Sequence, residues 1–218
     1  MKDKDLPIKG ISVRQSDAVI NVRSELPLVT LSSAVLGGGY RRMRHILNVH
    51  VDKEFNAPNP KAWLRSFAKD ININEPFVGL LTAVKLRKAR IAFLESDAIG
   101  VAALITAGMS NATSAGFSLP FSPQPGTINI ILFLDAHLTR SAMLNAVITA
   151  TEAKTAVLGE KSIRTPDGNV ATGTSTDTVT ITCTGKGTFQ PYAGPATTLG
   201  WLIASTVRQA LEDSLSAQ

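Results

Sequence analysis

Residues 126–177 alternate long apolar blocks with hydroxyl-rich ones, and they organise the pattern of the whole chain. The run Gly-Thr-Ile-Asn-Ile-Ile-Leu-Phe-Leu-Asp (126–135) is nearly all apolar and rich in β-branched residues, which predicts a strand buried on both faces. Residues 140–158 lack Gly and Pro, so they predict a helix with Thr139 as N-cap and Gly159 just past its end. Met143, Leu144, Val147, Ile148, Val157 and Leu158 supply its apolar positions, interrupted by Thr151, Glu152, Lys154 and Thr155. Residues 174–184 alternate strictly, which predicts a strand with Thr174, Thr176 and Thr178 on one face and Ser175, Asp177, Val179, Ile181 and Cys183 on the other.

The flanks read in the same way. Alternation at 11–15 and 18–23 around Ser16-Asp17 predicts a β-hairpin, 28–35 a third strand ending at Gly37-Gly38-Gly39, and 44–51 a fourth. Glycine at the end of a strand lets backbone approach a ligand, or simply makes a turn. Asn59-Pro60 opens a helix to about Lys69, with Trp63, Leu64 and Phe67 at helical spacing. Apolar runs at 78–83, 91–94 and 100–106 predict further strands, and residues 110–116 form a polar, small-residue loop before Pro120, Pro123 and Pro125. The last segment, from Thr198 to about Ser216, has the spacing of an amphipathic helix. The expected architecture is α/β, or α+β: one domain spanning residues 1–218, with a mixed β-sheet packed against two long helices and a loose lead-in at 1–10.

The 218 residues can bury a substantial core, and 44% hydrophobic with 18% charged residues excludes a disordered tail protein. No run of about 18 apolar residues occurs and the start lacks a signal-peptide core, so a soluble, cytoplasmic protein without membrane insertion is expected. The single cysteine, Cys183, agrees with a reducing compartment. The net charge of +5 raises nucleic acid as a partner. The cations cluster only at Arg41, Arg42 and Arg44 and at Lys85, Arg87, Lys88 and Arg90, without interleaved aromatics to stack bases, so nucleic acid is not the expected partner. Self-association into a homo-oligomer stays open.

Familiar catalytic signatures are missing. The chain has no Gly-x-Ser-x-Gly elbow, no His-Glu-x-x-His and no Cys/His cluster, and His45 and His50 fall on opposite faces of a strand, so no metal site is expected. Hydroxyls and carboxylates remain. Thr172, Thr174, Ser175 and Thr176 offer nucleophiles or oxyanion donors, and Asp177 and Glu152 offer general bases. Glu152 and Lys154 stand two residues apart, about 200° around a helix, so they cannot share one small site. Glu152, aligned with Asn145 and Thr149, is the preferred candidate for chemistry and Lys154 the second. Asp177 on an apolar face needs partners or a function. Asn129, in an apolar strand, orients a substrate amide or bridges two strands.

Several segments, in order and spacing, resemble the adenosylcobinamide amidohydrolase family, the CbiZ-type enzymes of corrinoid salvage: Gly-Thr-Ile-Asn-Ile (126–130), Thr-Ala-Thr-Glu-Ala-Lys-Thr-Ala (149–156), Ala-Thr-Gly-Thr-Ser-Thr-Asp (171–177) and Tyr-Ala-Gly-Pro (192–195). Gly-Gly-Gly (37–39), Ile-Leu-Asn-Val-His-Val (46–51), Val-Gly-Leu-Leu-Thr-Ala (78–83) and Thr-Ala-Gly-Met-Ser-Asn-Ala (106–112) extend the likeness from about Val29 to the end. Two positions depart from the family pattern: Ala196, where histidine is common, and Ser175, where glycine is frequent. The resemblance implies hydrolysis of the aminopropanol amide of adenosylcobinamide, giving adenosylcobyric acid and 1-amino-2-propanol. Cobalt then enters with the corrinoid substrate, and no resident cofactor is expected. The alternative is a non-catalytic corrinoid- or nucleotide-binding protein of the same fold. With the resemblance, Glu152, Asp177, Thr174 and Ser175 are the expected catalytic residues. Gly38, Gly39, Asn48, Thr106, Asn111, Asn129, Lys154, Thr172 and Tyr192 are the expected substrate contacts. The expected walls of an open cleft are residues 37–44, 108–125 and 185–197.

Overall fold

In the computed structural model, which describes residues 2–121 and 126–217, the chain folds as a mixed α/β structure. Pro123 and Pro125 lie outside the described residues. The strands, in chain order, are β1 (Lys2–Asp5), β2 (Ile11–Gln15), β3 (Val19–Ser32), β4 (Gly39–His50), β5 (Phe77–Thr82), β6 (Arg90–Ser96), β7 (Ile99–Ala107), β8 (Ala112–Thr113), β9 (Ile128–Asp135), β10 (His137–Leu138), β11 (Gly173–Thr174), β12 (Thr178–Cys183) and β13 (Phe189–Gln190). The helices are α1 (Pro60–Asp70), α2 (Arg140–Glu160) and α3 (Thr198–Ser216), so α1 joins the two long helices in covering the sheet.

One large sheet runs β1-β2-β3-β12-β9-β7-β6, with β4 on the other edge of β3 and β5 beyond it. It folds over on itself into layers, because period-2 alternation sends neighbouring residues to different cores. Ile130, Leu132 and Leu134 of β9, with Val101, Ala103 and Ile105 of β7, pack against α2 and α3. Ile131 and Phe133 of β9, with Leu104 of β7, instead meet Ile46 of β4 and Leu80 of β5 in an inner core. Leu47 and Val49, on the other face of β4, pack with Leu64 of α1. The expected buried strand at 126–135 is therefore covered on both faces.

Four local expectations change. The strands expected at 18–23 and 28–35 form one long strand, β3, whose register against β4 shifts between Arg23 and Leu28. Helix α2 continues through Gly159 to Glu160 and caps at Lys161, so Gly159 is not the terminating residue. The strand expected over 174–184 is split: Gly173–Thr174 pairs with β8, a turn intervenes, and β12 starts at Thr178. Residues 39–44, expected to wall a cleft as loop, belong to β4. No helix among the described residues is long and apolar enough to cross a membrane.

Candidate active site

Strand β12 lies between β9, parallel to it, and β3, antiparallel. The N-terminal ends of β9 and β12 thus sit side by side, and Asp177 immediately precedes β12. Its carboxylate spans three elements. One oxygen accepts the backbone N–H of Ile128 at 3.1 Å and the hydroxyl of Thr174. The other accepts the Lys154 ammonium from α2 at 2.5 Å. Both side chains of the ion pair are nearly sealed from solvent, at 9% exposure for Lys154 and 15% for Asp177. A carboxylate facing the helices on an apolar face is costly to bury alone, and the ammonium and two donors offset that cost.

The backbone presses closely against this pair. A Cβ at Gly173 would stand 2.4 Å from Asp177 Oδ2 and 2.6 Å from Lys154 Nζ, so only glycine leaves room for the pairing. Around it, Asn111 Nδ2 donates to Ser175 Oγ at 2.7 Å, and Thr172 Oγ1 accepts the N–H of Ala115 at 2.9 Å. The Thr155 hydroxyl donates to the Thr172 carbonyl at 3.2 Å. The pairing of β8 with β11 thereby brings the small-residue loop at 108–121 onto the 172–177 turn.

Beside the turn opens a cleft of about 250 Å³, lined by Val51, Phe55, Leu81, Thr127, Thr176 and Thr178 among others. Its floor adjoins a second polar group. Asn48 Nδ2 donates to Thr106 Oγ1 at 3.0 Å, and Asn129 Nδ2 donates to Asn48 Oδ1 at 2.9 Å and to the Leu81 carbonyl at 2.9 Å. Thr178 donates to Asn129 Oδ1 at 2.8 Å. Asn48, Thr106 and Asn129 are each fully buried, so they join the two sheet layers with their hydrogen bonds directed at protein.

Of the sequence-expected residues, Asp177, Thr174, Lys154, Ser175, Asn111 and Thr172 come together. Glu152 does not: it is exposed, on the side of α2 turned away from Lys154, and it meets no part of the Asp177 group. Lys154 stands beside Asp177, in the place expected of Glu152. Gly38 and Gly39 lie at the entry to β4, and the Tyr192 side chain is 68% exposed on the segment beyond the far end of β12. Residues 185–197 run beside the N-terminal half of α2, where the Thr139 and Thr149 hydroxyls donate to the Pro191 and Ala193 carbonyls at 3.3 and 2.8 Å. Sequence reasoning missed Gly173 and the Ile128 N–H. The signal for Gly173 was its place between two threonines in the Ala-Thr-Gly-Thr run.

His45 and His50 belong to opposite faces of β4, and His45 Nδ1 lies 3.3 Å from Asn21 Oδ1. Among the described residues no group of three or more His, Cys, Asp or Glu side chains is placed to hold a metal ion.

Comparison with known proteins gives a consistent answer. The family described as adenosylcobinamide amidohydrolase matches residues 4–218. The chain is 38% identical over 192 residues to "Adenosylcobinamide amidohydrolase" of Methanosarcina mazei, covering 84% of this chain and 88% of that one. It is 35% identical over 150 residues to the protein of the same name in Halobacterium salinarum, covering 64% of this chain and 58% of that one. An uncharacterized protein of Methanocaldococcus jannaschii is 30% identical over 205 residues, covering 83% of this chain and 80% of that one. With the family match running over residues 4–218 and a relative of that name 38% identical over most of both chains, this chain belongs to the adenosylcobinamide amidohydrolase family.

Proposed function

We propose that the protein hydrolyses the aminopropanol amide of adenosylcobinamide, releasing 1-amino-2-propanol and leaving adenosylcobyric acid, and that Asp177, Thr174 and Lys154 carry the reaction. The observation that carries this reading is the sealed Asp177 carboxylate, holding the Thr174 hydroxyl on one oxygen and the Lys154 ammonium on the other. The names of the relatives support the substrate.

Amide hydrolysis needs an activated nucleophile, stabilisation of the developing oxyanion and a proton for the leaving amine. Asp177 takes the Thr174 hydroxyl proton as its oxygen bonds to the amide carbon. The C–N bond then breaks, the amine leaves with that proton, and water hydrolyses the resulting ester to the carboxylic acid. Lys154 fixes the carboxylate and balances its charge through the cycle. Ser175, whose oxygen accepts from Asn111 Nδ2, keeps its hydroxyl proton free to donate to the oxyanion. The cleft of about 250 Å³ is lined by Thr176 and Thr178, which flank Asp177, and not by Asp177, Thr174 or Lys154, and it is smaller than the roughly 300–1,000 Å³ of sites that enclose a whole ligand, so the corrin disk rests outside it.

The test is release of 1-amino-2-propanol from adenosylcobinamide by purified wild type and by Asp177→Asn, Thr174→Ala, Thr174→Ser and Lys154→Met. Loss of a general base costs about 10²–10⁴ in rate. Asp177→Asn therefore falls into that range, Thr174→Ala, which removes the attacking oxygen, loses at least as much, and Thr174→Ser keeps measurable turnover. A folded Asp177→Asn protein with full rate sinks the residue assignment. Wild type that binds the corrinoid without releasing the amine sinks the enzyme reading and leaves a binding protein.

A further inference from the structure

At the other end of β5 lies a larger cleft, of about 590 Å³, that the proposed reaction does not use. Phe77, the first residue of β5, lines it, whereas Leu81 and Thr82 at the strand's end line the smaller cleft beside Asp177. Four to five residues of extended chain put the two roughly 13–17 Å apart. The larger cleft is framed by the start of β4 and the C-terminal half of α1. Arg41 and Arg42 contribute from the strand, and Arg65 and Lys69 from the helix.

The charge here is one-sided. None of these four cations takes part in the ion pairs found among the described residues, and the single acid in the lining, Glu75, faces Arg44 at 3.9 Å. Arg65 and Lys69 stand four apart on α1, the spacing at which like charges repel across a helix face. The helix dipole favours Lys69 in the last turn of α1, and an anion held between it and Arg65 relieves the repulsion that remains. The floor is apolar: Leu36, Met43, Ile73 and Phe77 line it. Gly37 lets the chain lie directly on β5, since a Cβ there would stand 2.3 Å from the Phe77 carbonyl oxygen.

We propose that this cleft binds a phosphate-bearing small molecule of nucleotide size, its phosphates held by Arg41, Arg65 and Lys69 and its flat apolar part resting on the Met43–Phe77 floor. Guanidinium forks match phosphate oxygens in pairs, and the volume falls within the roughly 300–1,000 Å³ of small-ligand sites. An extended nucleic acid is the poorer fit. The second basic segment, Lys85 to Arg90, follows the opposite end of β5, so the two clusters form no continuous track. The proposal stands independently of the Asp177 assignment.

The experiment is calorimetric titration of the full chain with ATP, ADP, inorganic triphosphate and inorganic phosphate. It is run on wild type, on Arg65→Glu/Lys69→Glu, and on Lys85→Glu/Arg87→Glu as a control of equal charge change. Wild type is expected to bind a nucleotide saturably and more tightly than inorganic triphosphate. The helix double variant weakens that binding by roughly tenfold or more, and the control leaves it within about twofold. Circular dichroism establishes that the variants remain folded. Equal weakening by both double variants means nonspecific attraction and overturns the site. So does tighter binding of inorganic triphosphate than of any nucleotide, or no saturable binding by wild type.

Discussion

At the residue scale, the position of Lys154 decides the chemistry available. On a helical wheel Glu152 and Lys154 exclude each other, and the sequence offers no reason to bury the ammonium instead of the carboxylate. The reason lies across the sheet, where Asp177 turns toward α2 and a cation satisfies it. Gly173 makes this possible by leaving space. Gly173→Ala forces a methyl group between the two charges, and overpacking of this kind costs about 1–3 kcal/mol. Lower turnover together with a lower midpoint in urea is expected. An alanine variant as active and stable as wild type would show that the pair tolerates displacement.

His45 supplies a pH dependence. Burial holds its imidazole below the ordinary value of 6.5, with Arg23 and Arg44 acting in the same direction and Glu75 against it. The folded state favours the neutral ring, and the unfolded chain takes up the proton first. This contribution is complete above about pH 6.5 and declines as pH falls from there to the lowered folded value. Thermal melts from about pH 7.5 to about pH 5 should lose less for His45→Asn than for wild type. Parallel slopes would assign the acid sensitivity to other groups.

At the element scale, the turn at 175–177 is the feature that alternation misreads. In one continuous strand Thr174 and Asp177 face opposite ways; with the strand broken, the hydroxyl of one reaches the carboxylate of the other. Pairing of the two-residue β11 with β8 drives the break, and no local propensity announces so short a partner. Asn129 was legible as a residue needing partners, but which elements it joins was not. It ties β9 to β4, β5 and β12. Asn129→Leu strands the side-chain oxygen of Asn48, the Leu81 carbonyl and the Thr178 hydroxyl, each unsatisfied group costing about 1–3 kcal/mol. A loss of several kcal/mol in denaturant unfolding is the expected result, and an unchanged midpoint would mean that the layers are held by apolar packing alone.

At the scale of the whole molecule, β7 and β9 are covered on both faces, between the helices and the inner core, while β1 forms an edge of the sheet. Hydrogen exchange should therefore be slowest in β7 and β9 and fastest in β1 and β2. Slower exchange in β1 and β2 than in β9 would contradict the layering. The sequence by itself determined the type and approximate limits of most elements, the cap at Thr139 and the helix opening at Asn59-Pro60, because periodicity and capping act over a few residues. It also marked the segments that resemble the family. Tertiary structure decided that the sheet folds back into layers, that Lys154 rather than Glu152 meets Asp177, and that Asn48, Thr106 and Asn129 serve each other. These outcomes depend on contacts between residues far apart in the chain, where the energy of burying a charge or an amide is set by the partner that arrives, and no local pattern encodes that arrival.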